Sequence, residues 1–170
     1  MKKLIPIIFI LPLIFACNKD KENRYTRNSL EYNLYQGSDF NYEGKVTLRE
    51  LVSGQLEMHI ELIGAKSTED YFFPAHLHFS TYDGPDSPIA FQLNPINNKD
   101  LKSTTILGMM SNGQNLDFEA FKNFDGHIKI HLAESGPDYN VILAAGNIGL
   151  NDNSRESFER EAISICLPTY

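Results

Sequence analysis

Apolar and polar residues alternate one by one through much of this chain, the period of a strand with one buried face. The clearest run is Gln55 to Ile63, where Leu56, Met58, Ile60 and Leu62 fall on one face and Glu57, His59 and Glu61 on the other. Shorter runs predict strands over Leu30 to Tyr35, Gly44 to Leu51, Ala75 to Thr81, Ile89 to Leu93, Gly126 to Ala133, Val141 to Ala145 and Ala162 to Leu167. Gly, Pro, Asn and Asp interrupt the pattern at Tyr82 to Pro88, Asn94 to Asp100 and Ser135 to Asn140, where turns are expected. One stretch has a different period: Leu116, Ala120, Phe121 and Phe124 recur at helical spacing and predict a short helix within Leu116 to Phe124. Many short strands joined by turn-rich links argue for an all-β fold, an antiparallel sandwich or small barrel.

The opening residues depart from this alternation. Lys2 and Lys3 precede the apolar stretch Leu4 to Phe15, and a small residue, Ala16, stands directly before Cys17. That is the order of a cleavable export signal. A helix that spans a bilayer needs roughly 20 apolar residues, and this run is shorter and contains Pro6 and Pro12. Ile14-Phe15-Ala16-Cys17 resembles a lipobox, which implies cleavage before Cys17 and lipid on its thiol. More than one acyl chain is needed for stable anchoring, which diacylation would supply. The expected organisation is therefore a signal peptide over residues 1–16, a polar tether over 17–28, and one domain over 29–170.

Charge narrows the partners. Without Lys2 and Lys3, 13 basic residues face 22 acidic ones, a formal charge of −9. Nucleic acid is excluded as a natural partner, because phosphate binding needs concentrated Lys and Arg. Anionic lipid is disfavoured too, leaving the acyl chains as the anchor to the membrane. The chain holds two cysteines, and with Cys17 acylated Cys166 has no intrachain partner, so no disulfide framework is expected.

Strand alternation sorts the five histidines. Ala75, Leu77 and Phe79 share one face, so His76 and His78 share the other, about 7 Å apart along the strand. Ile128, Ile130 and Leu132 mark a core face, which puts His127, Lys129 and His131 on the opposite side. If these two strands are neighbours, His131 completes a three-nitrogen set with His76 and His78. Imidazole suits copper and zinc, and a His-x-His pair on a strand holds two ligands rigidly. The alternative is a polar face in which the same histidines bond to backbone or water. His59, between Glu57 and Glu61, and His127, just after a glycine, are expected on the surface.

Four segments carry a resemblance: Phe73-Pro74-Ala75-His76-Leu77-His78-Phe79, Ile89-Ala90-Phe91-Gln92-Leu93-Asn94-Pro95, Asn123 to Leu132, and Ala145-Gly146-Asn147-Ile148-Gly149. In order and spacing they resemble the CHRD (chordin-type) domain, in particular its lipoprotein branch in Bacteroidota, over roughly Ser29 to Leu150. The resemblance implies an immunoglobulin-like β-sandwich or barrel and, by the habits of that branch, an outer-membrane location. It implies no particular activity. His76, His78 and His131 fall on histidines typical of the branch, whereas His127 stands where tyrosine is usual and Lys129 where asparagine is. The histidine pattern is also similar to the copper half of copper-zinc superoxide dismutase, itself a β-sandwich. No histidine lies between Phe79 and Gly126, however, so the bridging ligand and the zinc ligands of that enzyme are absent.

Two functional readings follow. One is a lipid-anchored, non-enzymatic binding or structural module whose sheet edges and loops meet an envelope protein, a glycan or a small ligand. The other is a copper- or zinc-binding envelope protein that uses His76, His78 and His131. No phosphate loop or nucleophile elbow is present, and the carboxylates to watch near the histidines, were the chain an enzyme, are Asp83, Asp86 and Glu134.

Overall fold

The structure is a computed structural model that describes residues 24–85 and 88–165. Eight strands form it: β1 (Tyr25–Gln36), β2 (Glu43–Leu51), β3 (Leu56–Ile63), β4 (Phe72–Phe79), β5 (Ile89–Asn97), β6 (Lys102–Ile106), β7 (Asp125–His131) and β8 (Ile142–Gly149). One short helix, α1 (Phe118–Lys122), lies between β6 and β7. The strands close into an antiparallel barrel in the order β1-β2-β3-β6-β5-β4-β7-β8. Because β4, β5 and β6 follow one another while β3 returns beside β6, this part of the barrel is a Greek key.

The alternation that predicts the strands also fills the interior. Leu56, Met58, Ile60 and Leu62 of β3 are buried, as are Ala75 and Leu77 of β4 and Ile128 and Ile130 of β7, in one continuous apolar core. The helix is shorter than the periodicity suggests. Asp117 caps it by accepting from the Ala120 amide, and Phe118 and Phe121 pack into the core.

Several expectations need correction. The strand read over Ala162 to Leu167 is absent among the described residues: a 3-10 turn occupies Arg160–Ala162, and Cys166 onward lies outside them. Strand β6 was not anticipated, since Lys102-Ser103-Thr104-Thr105-Ile106 offers almost no apolar alternation; its pairing with β3 over Glu57 to Glu61 builds it. Strand β1 starts at Tyr25, inside the segment read as tether, where Tyr25 and Arg24 both bond to the carboxylate of Glu57. Barrel closure also removes the long free sheet edges on which the binding-module reading leaned.

The closing seam is partly made of side chains. Strands β1 and β8 pair only at Tyr35 with Ala145 and Gln36 with Ala144. Beyond that point the carboxamide of Asn153 takes the place of a neighbouring strand: its Oδ1 accepts from the Asn33 amide at 2.7 Å, and its Nδ2 donates to the Asn33 carbonyl at 3.0 Å. The same Nδ2 donates to the Asn147 carbonyl at 2.8 Å. This ties the segment after β8 down across the outside of the barrel.

Candidate metal centre

Strands β4 and β7 are neighbours, paired antiparallel with His76 opposite Lys129 and His78 opposite His127. Since Ala75, Leu77, Ile128 and Ile130 point into the core, the alternate residues His76, His78, His127, Lys129 and His131 share the outer face. On an open sheet that face would be wet. Here it is covered. The 3-10 turn Pro137–Asn140 lays Tyr139 against His131, with ring centroids 4.4 Å apart and planes 14° apart. At the other end Tyr82 and Ser164 are linked by two hydrogen bonds, from the Ser164 amide and hydroxyl to the Tyr82 carbonyl.

The result is a row of buried imidazoles. Ring centroids are separated by 4.9 Å from His131 to His76, 5.8 Å from His76 to His78, and 4.9 Å from His78 to His127, the last pair stacked. The ligand nitrogens of His76, His78 and His131 all lie within 4.8 Å of one another. Nitrogens bonded to one tetrahedral zinc or copper ion at about 2.0–2.1 Å stand about 3.3 Å apart, so on the order of 1.5 Å of side-chain rotation closes the widest gap.

The protonation pattern suits such an ion. His131 Nδ1 lies 2.7 Å from the Tyr139 carbonyl, which can only accept, so that nitrogen carries the proton and Nε2 holds its lone pair. Nε2 is buried and has no hydrogen-bond partner among the described residues, and the same holds for His76 Nδ1. A backbone carbonyl that fixes the tautomer and aims the free nitrogen is the usual support of a metal-bound histidine. Desolvation keeps these rings neutral: burial lowers the pKa of His76 from 6.5 to about 4 and that of His131 to about 3.

The sequence brings this trio together correctly but misplaces its neighbour. His127, expected on the surface, is fully buried. Its Nδ1 donates to the Ser80 carbonyl at 2.7 Å, Nε2 is buried without a partner among the described residues, and burial takes its pKa to about 3. Ser80 adopts φ 62°, a conformation that non-glycine residues rarely take, and this turns β4 into the loop that covers His127. Lys129 is also fully buried, donating to the carbonyl and hydroxyl oxygens of Ser164 at 2.6 and 3.1 Å. No local signal identifies these covers, because they come from turns distant in sequence.

The remaining candidates disperse. His59 lies on β3, with Nδ1 2.9 Å from the Thr104 hydroxyl, away from the row. Asp83 is exposed and outside the trio; Glu134 is exposed and lines the cavity that His76 also lines. Cys17, Cys166 and Asp86 lie outside the described residues. No family model, curated protein or solved structure matches this chain.

Proposed function

We propose that this chain is a copper- or zinc-binding protein of the cell envelope, held to a membrane by lipid on Cys17, with His76, His78 and His131 as the metal ligands. The observation that carries the reading is the convergence of three imidazoles, nearly or fully buried, whose ligand nitrogens lie within 4.8 Å of one another. Burying a polar nitrogen without a partner is costly, so bare nitrogens on two of the three rings argue for an occupant. The lipoprotein part of the proposal rests on the order of residues in Lys2 to Cys17, and the likeness to the CHRD domain on the four segments quoted above. Among the described residues no helix is long and apolar enough to cross a membrane.

The test is elemental analysis of the chain purified without chelator or affinity metal, followed by copper and zinc titration. Near-stoichiometric binding is expected. Each of His76→Ala, His78→Ala and His131→Ala should weaken it by at least about tenfold, the scale seen when metal-site groups are removed. Unchanged binding in a folded triple variant would leave a lipid-anchored recognition module, to be pursued through its loops.

A further inference from the structure

One member of the histidine trio borders a cavity. His78 and His131 are fully buried, whereas His76 is 9% exposed, and its exposed part lines a cavity of about 560 Å³. That volume is in the range of small-molecule sites. Strand β5 forms one wall through Gln92, the cross-strand partner of His76. Phe72 of β4 and Tyr139, whose carbonyl orients His131, also line it. Glu134 is the one carboxylate among its lining residues, which include no Lys or Arg.

No fourth His, Cys, Asp or Glu joins the trio among the described residues. Three protein nitrogens with an open position is the composition of a site that exchanges ligands, in contrast to a closed structural site with four. We propose that the fourth coordination position opens into this cavity and takes a neutral small organic molecule, with a nitrogen or oxygen donor at one end and a flat apolar body. This rests on the metal-binding reading above. The donor reaches the ion past His76, the body lies against Phe72 and Tyr139, and Glu134, the one acidic residue lining the cavity, works against anions there.

The test loads the purified chain with copper(II), confirms uptake by elemental analysis, and titrates it with imidazole, phenylimidazole and azide while recording visible and electron paramagnetic resonance spectra. Phenylimidazole should bind about tenfold or more tightly than imidazole, because its ring is removed from water in the cavity. Azide should bind more weakly than either. Gln92→Trp, at an exposed position facing the cavity, should abolish the advantage of the phenyl group and leave copper affinity unchanged. Bound copper whose spectra ignore all three probes would show a closed coordination shell and overturn this inference while leaving the metal site standing. Equal affinity for imidazole and phenylimidazole would overturn the role of the cavity. Failure to take up copper or zinc in the preceding titration would remove the metal reading and this inference with it.

Discussion

Burial makes His76, His127 and His131 bases that refuse a proton well below the ordinary histidine range. Their pKa values fall to about 4, 3 and 3, with desolvation the largest cause in each. In the unfolded chain the same rings take up protons near 6.5. Between those values the unfolded state binds more protons than the folded one, so stability must fall as pH falls. The metal-free chain should therefore lose stability from about pH 6.5 downward, by about 3 kcal/mol for each of the three rings by pH 4. Urea midpoints at pH 7, 6 and 5 test this in the window above most carboxylate titration; a midpoint that does not move would refute neutral burial. A second residue-scale expectation concerns Gly149, with φ +69°, where an added Cβ would stand 1.9 Å from the Phe124 carbonyl oxygen. Gly54 has a similar φ of +84° with nothing within 4 Å. Gly149→Ala should thus cost well over about 2 kcal/mol and Gly54→Ala only about 1, as read by chemical denaturation. Similar losses at the two sites would mean that backbone strain alone matters.

Elements form here for two different reasons, and only one of them is visible in sequence. Strand β3 announces itself through Leu56, Met58, Ile60 and Leu62, and β7 through Ile128 and Ile130, because each buries its apolar face in the core. The trio of His76, His78 and His131 was readable for the same reason: whatever alternates with a core face must point the other way. Alternation cannot say whether that other face meets water. The burial of His127 and Lys129 depends on Ser80 and Ser164, which belong to turns with no periodicity of their own. Strand β6 was hidden because pairing with β3, more than any apolar pattern, creates it. Asn153 is the most exacting of these long-range devices. Asn153→Ala would leave the amide and carbonyl of Asn33 to water, at a net cost of about 0.5–1.5 kcal/mol per hydrogen bond lost. Hydrogen exchange should show the loss first at the Asn33 amide, and unchanged protection there would refute the stitching role.

At the scale of the whole molecule, closing the barrel uses up the sheet edges and leaves loops, the cavity and the covered histidine face as the places where function can reside. A metal that binds only the folded chain must stabilise all of it. With free metal at about 100 times its dissociation constant the gain is about 2.7 kcal/mol, which for a chain of this size raises the melting temperature by roughly 5–10 °C. Calorimetry with and without zinc should show that rise in the native chain and none in the triple alanine variant; a rise in both would mean binding elsewhere. The buried ammonium of Lys129 adds a consequence of another kind. Its charge is felt at His131 and His127, where it disfavours further positive charge, and it sits directly across the strand pair from His76. A doubly charged ion is penalised by that field twice as much as a singly charged one. Were copper held by this trio, that field would favour its cuprous state, and the reduction potential should lie above that of a Lys129→Met variant.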